Sequence, residues 1–242
     1  LVILEELRAV KRPEELAILK EASGTIIECM VEVMTTTPAG TSSLDIAERM
    51  RREETQRGLN FEYCLTSIGP GWNRAPSKKA LWRKGCALSL DSGGNRHGYL
   101  GDLARMAVMG QPTQLMKDLL AEVEAIQMAA RSAVRPGATG AEIFEKALAE
   151  RAKCPHKDEM IFLAHGMGLI QHEAPRLTST GAVPYPGPYE NRPIEAGMVL
   201  SIETDMKNPG VGFLKLEDTV AVTPSGWKAY GDGARGWTIA EG

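Results

Sequence analysis

Apolar positions recur at two different periods along this chain, and the alternation between them sketches the fold. In PEELAILKEASGTIIECMVEVM, residues Leu16, Leu19, Ile26, Ile27, Met30 and Met34 follow the 3.6-residue spacing of an amphipathic helix that opens at Pro13. A second helix is predicted for TSSLDIAERMRREETQRG, where Ser42 and Asp45 fit the spacing of a capping box and Gly58 supplies the stop. Three β-rich runs follow, EYCLTSIG, CALSLDSGG and ARMAVMG. The order then returns. TQLMKDLLAEVEAIQMAARSAV is again a long amphipathic helix, RPGATGAEIFEKALAERA opens with the same turn and cap, and MIFLAHG, MVLSIETDM and LEDTVAVT read as strands.

The repetition extends to single residues. Pro38 and Thr41 reappear as Pro136 and Thr139, 98 positions later, and Gly85, Leu88, Ser89 and Asp91 reappear as Gly197, Leu200, Ser201 and Glu203, 112 positions later. A period near 100 is too long for a solenoid repeat. The pattern predicts an α+β chain, one domain over 1–242, of two pseudo-symmetric halves at about 13–110 and 111–237. Each half pairs two helices with an antiparallel sheet. TGAVPYPGPYENRP (180–193), dense in turn formers, is predicted to be a surface loop.

Composition narrows the function. The 242 residues are 43% hydrophobic and 24% charged with a net charge of −3, an ordinary globular balance. Basic residues are scattered, as at Arg49, Arg51 and Arg52 or Lys78 and Lys79, so no phosphate-tracking stripe forms and nucleic acid is not an expected partner. No apolar run approaches the roughly 20 residues needed to span a bilayer, so no membrane partner is expected either. Cys29, Cys64, Cys86 and Cys154 form no C-x-x-C pair, which suits a reducing cytoplasm. The opening LVILEELRAVKRPEEL has no basic region or cleavage site of a secretory signal and no initiating methionine, so a piece of a longer chain is expected.

The chemistry concentrates where carboxylates interrupt apolar strands. Asp91 ends one such run and Asp102 enters the next across a glycine-rich connection, an expected hairpin that would let the two carboxylates face each other. Unpaired carboxylates in a core are costly because each loses its hydration, so a positive partner is required. Arg105 or Arg83 would suffice for this segment alone. Glu203 and Glu217 occupy matching strands in the second half, where β-propensity and burial both disfavour glutamate. With His165 they make five oxygen or nitrogen donors, a set suited to divalent ions. Two such ions would balance four carboxylates. His165 and His172 lie seven residues apart in FLAHGMGLIQHEAPRL, but the glycines between them argue for a loop that lets backbone approach the site. His97, in the presumed hairpin turn, and His156, in KCPHKDE, read as solvent-facing loop residues.

The motifs AHGMGLIQHEAPRL, GMVLSIETDM, KLEDTVAVT and LDSGG...GYLGDLARM resemble those of the creatinase/aminopeptidase family with the pita-bread fold, nearest to the Xaa-Pro aminopeptidases and prolidases. The resemblance runs from about Val10 to Trp237. It implies metal ligation by Asp91, Asp102, His165, Glu203 and Glu217, with Asp102 and Glu217 bridging two divalent ions. Asp91 would hold one ion, and His165 and Glu203 the other. It further implies a manganese pair, with cobalt, iron or zinc as alternatives, and His172 as the catalytic donor to the developing oxyanion. Glu203 would be the general base of a metal-activated hydroxide mechanism cleaving the N-terminal Xaa-Pro bond of small peptides or dipeptides.

Three departures from the family pattern stand out. No histidine lies between Phe61 and Asp91, and Arg74 sits near the expected position, either as a carboxylate binder or as an exposed loop residue. Lys215 replaces an arginine two residues before the last bridging glutamate, keeping the charge without the fork. The N-terminal domain that usually shapes the channel and joins a homodimer is expected to be absent from this chain. The missing histidine keeps a second reading open, a non-peptidase hydrolase of a small C–N bond like the creatinase or ectoine hydrolases. A third, a binding module without catalysis, conflicts with five intact ligand positions.

Overall fold

The structure is a computed structural model that describes residues 2–180 and 184–241. After a short helix α1 (Val2–Leu7), α2 (Pro13–Thr36) and α3 (Ser43–Gln56) lead into β1 (Asn60–Ile68), β2 (Ala87–Arg96) and β3 (Tyr99–Met109). The second half repeats the plan with α4 (Gln114–Ala133), α5 (Gly140–Arg151), β4 (Met160–Gly166), β5 (Val199–Asn208) and β6 (Gly212–Thr223). Two further strands, β7 (Gly226–Tyr230) and β8 (Thr238–Ala240), have no counterpart in the sequence reading.

Local chemistry sets the helix starts. The Ser42 hydroxyl accepts the Asp45 amide at 3.2 Å, and Thr113 and Thr139 do the same for Met116 and Glu142 at 3.2 and 3.3 Å. Each thereby satisfies a backbone donor that the first turn leaves free. Gly85 and Gly197, the repeated glycines ahead of β2 and β5, have φ of +81° and +94°, a conformation that a Cβ would strain. The repeat therefore preserves a backbone requirement as well as a letter.

One sheet runs in the order β1-β2-β3-β6-β5-β4, with β7 on β6 and β8 on β3, so the halves meet where β3 lies beside β6. That seam carries a single ladder pair, Ala104 opposite Glu217. Arg105 strengthens it, its guanidinium donating to the backbone oxygens of Ala104 and Glu217 at 2.8 Å each.

Along each central strand the side chains alternate between two buried faces. Leu88, Leu90, Leu103 and Ala107 join α2 and α3 in one hydrophobic core, and Leu200, Ile202, Leu214 and Leu216 join α4 and α5 in the other. Two-residue periodicity then sends Ser89, Asp91, Asp102, Ser201, Glu203, Lys215 and Glu217 to the opposite face, and all of them are buried. The helices thus fix one face while the polar residues gather on the other.

The stretch 180–193 is more than a surface loop. Residues 181–183 lie outside the described residues, but Tyr185 bonds His172 and Tyr189 is buried with its hydroxyl on Glu6 at 2.9 Å. Tyrosine supplies apolar area that the turn-former count overlooks. The four cysteines are unpaired, and among the described residues no helix is long and apolar enough to cross a membrane.

Candidate metal centre

The predicted donors converge. Glu203 and Glu217 are direct cross-strand partners on β5 and β6, and His165, near the end of β4, is opposite Ser201. Asp91 and Asp102 share the β2–β3 hairpin, whose turn at His97 is exposed. Their register differs from a face-to-face pair. Asp91 is opposite Ala104 and Asp102 opposite Gly93, so the carboxylates are offset diagonally along one face. Donor atoms of three triads lie within 4.8 Å of one another: Asp91, Asp102 and Glu217; His165, Glu203 and Glu217; and Asp102, His165 and His172.

Two of these atoms, Asp91 Oδ1 and His165 Nε2, are buried without a hydrogen-bond partner. His165 Nε2 lies 3.8 Å from both Glu203 Oε1 and Glu217 Oε1, beyond hydrogen-bond reach. Buried polar atoms are nearly always satisfied, so unpartnered atoms within these carboxylate and imidazole triads fit a cation among them. Carboxylate and imidazole donors suit a hard or borderline divalent ion.

Surrounding groups hold the donors in place. Tyr63 on β1 bonds Asp102 Oδ1, and the Gln171 amide donates to the Tyr63 hydroxyl at 2.8 Å and to Asp102 Oδ2 at 2.9 Å. Ser201 donates to Glu217 Oε1 at 2.6 Å. Burial and the Glu217 charge push the Asp102 acid up to about 7. Burial also acts on Glu217, but Lys215 and His165 outweigh it and hold that carboxyl well below its usual range. Burial pulls the His165 imidazolium down, and Glu217, Glu203 and Asp102 more than offset the effect.

His172 lies in the loop after β4, its ring centroid 4.0 Å from that of His165. Burial, reinforced by His165, pushes its pKa down to about 4, so the ring is neutral near pH 7. The Tyr185 hydroxyl occupies Nδ1. Burial raises the Tyr185 phenol, which stays protonated; with its hydroxyl donating to Nδ1, Nε2–H is the donor of the imidazole. The glycines of this loop serve close approach. A Cβ on Gly166 would lie 2.3 Å from Pro175 N, and one on Gly168 would lie 2.3 Å from Glu173 Oε1. Glu173 in turn anchors the loop by accepting from Arg8 at 2.6 Å and Lys11 at 3.2 Å.

Two sequence assignments need correction. Arg105 does not neutralise Asp91 or Asp102; it points to the helix side and pairs with Asp218 at 2.7 Å. An odd number of positions separates it from Asp102, which puts the two on opposite faces. Arg74 is not an exposed loop residue. Its guanidinium bonds Asp91 and stacks 4.8 Å over the Phe213 ring. Tyr63, Gln171, Tyr185 and Asp205 were missed as site residues. The signal available for Gln171 was its place beside His172 in an apolar run, and for Asp205 a second acid two positions after Glu203 on the same strand face.

These residues line a cavity of about 310 Å³ that also touches Leu65 and Leu163. Tyr63 and Gln171 are shared with an adjoining hollow of about 490 Å³ that passes Leu169 and Ile170. A more apolar cavity of about 430 Å³, between α4 and Trp237, holds no comparable donor cluster.

Comparison with known proteins identifies the family and the fold. The model of metallopeptidase family M24 matches residues 17–224. The chain is similar to the Xaa-Pro dipeptidase of Pyrococcus furiosus, with 26% identity over 93% of this chain and 64% of the relative. It is also similar to the crystal structure of dipeptidase PepE from Mycobacterium ulcerans, with a TM-score of 0.85 and 26% identity over 98% of this chain and 63% of the other. The X-Pro aminopeptidase of Thermotoga maritima shares the fold, with a TM-score of 0.86 at 19% identity over 98% of this chain and 66% of the other. The chain spans less than two thirds of the length of the curated relatives it matches.

Proposed function

The chain belongs to metallopeptidase family M24, and from that premise we propose that it is a divalent-metal-dependent hydrolase of the N-terminal Xaa-Pro bond in small peptides or dipeptides. The observation that carries this reading is the convergence of Asp91, Asp102, His165, Glu203 and Glu217, with Asp91 Oδ1 and His165 Nε2 buried and unpartnered. Asp91, Asp102, His165, Glu203 and Glu217 would hold the metal. Bound divalent ions, manganese in the first instance, would supply acidification of water and polarisation of a carbonyl.

The protein's own groups do the rest. His172, neutral and oriented by Tyr185, presents Nε2–H to the carbonyl oxygen as charge develops there. Glu203 accepts the proton of the attacking water and passes it to the leaving nitrogen. A cavity of about 310 Å³ admits a dipeptide-sized substrate, and the hollow past Leu169 and Ile170 gives room for a longer one. The unpaired cysteines favour the cytoplasm, and the full-length protein is proposed to be a homodimer without nucleic-acid or membrane partners.

A second reading rests on Arg74, whose guanidinium lines the cavity where an Xaa-Pro peptidase would carry a histidine. On this reading the substrate is a small molecule with a hydrolysable C–N bond. Assaying the metal-loaded protein with Xaa-Pro dipeptides separates the two. Release of free proline supports the peptidase, and Glu203→Gln should abolish it without unfolding the protein. Silence on dipeptides with turnover of a small amide would transfer the function to the second reading.

A further inference from the structure

The candidate centre already contains a cation supplied by the chain. Lys215 stands two positions before Glu217 on the same face of β6, and its side chain is 5% exposed. Its ammonium donates to Asp91 Oδ2 at 2.7 Å and lies 2.5 Å from Glu203 Oε2 and 2.7 Å from Glu217 Oε2. Three of the four donor carboxylates thus share one Nζ. Arg74 adds a second positive group on Asp91 Oδ2.

The cluster is therefore lopsided. Asp91 carries two fixed cations, whereas Asp102 is held by the neutral Tyr63 and Gln171, and His165 Nε2 has no hydrogen-bond partner. Lys215 and Arg74 offset two of the four donor carboxylates, and one divalent ion offsets the other two. Asp205, when ionised, reduces the surplus charge that a second ion would bring, without cancelling it. Asp205 also lies directly across the ladder from Lys215, with its buried Oδ1 unpartnered. A displaced ammonium has an acceptor waiting.

We propose that Lys215 occupies the Asp91 end of the centre as a built-in cation, so that one divalent ion binds tightly at the His165 end. A second ion enters at Asp91 only by driving the Lys215 ammonium towards Asp205, and binds more weakly for that reason. The proposal rests on the metal-centre reading above and deepens it. Lysine suits this role better than arginine, because its charge is compact and sits on a flexible stem that can swing aside.

The test is calorimetric titration of the chelator-stripped full chain with Mn²⁺, with electron paramagnetic resonance at each equivalent. The wild type should show two steps, the second weaker on the order of a hundredfold, as expected when a like charge must be moved from a poorly screened site. Its first equivalent should give a spin-isolated manganese signal. Lys215→Met should close the gap to within about tenfold by removing the competing charge. Asp205→Asn, which keeps Lys215 but removes its receiving carboxylate, should weaken the second step alone, and serves if the methionine variant fails to fold. Two equal steps in the wild type would overturn the proposal, as would a gap that neither variant changes. An absence of bound Mn²⁺ in all three proteins would instead remove the metal-centre reading and this proposal with it.

Discussion

Replacing Asp218 by asparagine probes what holds Glu217 in place from behind. Asp218 is the next residue on β6, and its side chain enters the helix-side core, where it is fully buried. Arg105 Nη2 reaches Oδ1 at 2.7 Å, while Arg131 from α4 and Arg235 from the C-terminal segment crowd Oδ2. Burial favours the neutral acid, but the three guanidinium groups prevail and hold the carboxyl at about 2 against an ordinary 3.8. At 1.36 kcal/mol per unit, that depression alone corresponds to about 2 kcal/mol of folding stability. The asparagine variant should lose more, because Arg105 is left buried with its counter-charge removed, while Arg131 keeps only Asp232 at 2.9 Å. Breaking a buried pair on one side typically costs about 3–5 kcal/mol. Asparagine retains one acceptor, so a loss of about 3 kcal/mol is expected, or roughly 6–12 °C in Tm for a chain of this size.

Thermal and urea unfolding of both proteins across pH give the assay. Because the folded pKa is depressed, the stabilisation is complete above about pH 4 and disappears as pH falls towards 2. The gap between wild type and variant should shrink over that window. A gap below about 1 kcal/mol at pH 7, or one that grows on acidification, would refute the argument. A double variant that also replaces Arg105 by methionine should recover part of the loss if the penalty is the stranded charge.

Three other outcomes follow from the same structure. His172→Ala should lower turnover of an Xaa-Pro dipeptide by about a hundredfold while bound metal stays constant; elemental analysis showing lost metal would make His172 a ligand, as its place in the triad with Asp102 and His165 allows. Glu54, enclosed between α3 and β2 with Ser92 donating at 2.7 Å, has its acid pushed up to about 8 by burial. It therefore favours folding fully below its ordinary pKa of 4.5, and that contribution disappears as pH rises through 8. Glu54→Gln should gain on the wild type over this interval, by up to about 5 kcal/mol, and parallel stability curves would contradict it. Gly166→Ala would drive a Cβ to 2.5 Å from the Ala174 carbonyl carbon beside His165. It should lower stability by about 1–3 kcal/mol in melting experiments and weaken metal uptake in titrations; wild-type values would show that the loop yields.

The fold was legible because burial and period act locally. Carboxylates placed on apolar strands at matching offsets pointed to convergence, and the structure brings the five donors together on one face. Contacts that bind distant segments left little trace. Tyr185 reaches His172 from a stretch whose prolines and glycines mark it only as a turn region, and Tyr63 meets Asp102 from another strand. Proximity in sequence is a poor guide to the arginine's partner: Arg105 is three residues from Asp102 but on the opposite face of the sheet, where it pairs with Asp218. Lys215 was noted for its charge, yet its sharing by three carboxylates depends on the register of β5 against β6, which no single segment encodes.

The narrow seam between β3 and β6 bears on how the molecule reaches its working state. Neither half supplies more than three of the five donors, and the strands that unite them are separated by more than a hundred residues of sequence. Closing so long a loop is entropically slow, which makes this junction a late event in folding. A nascent chain with only its first half folded would offer Asp91 and Asp102 without His165, Glu203 and Glu217, so the proposed metal site would be completed only with the finished tertiary structure.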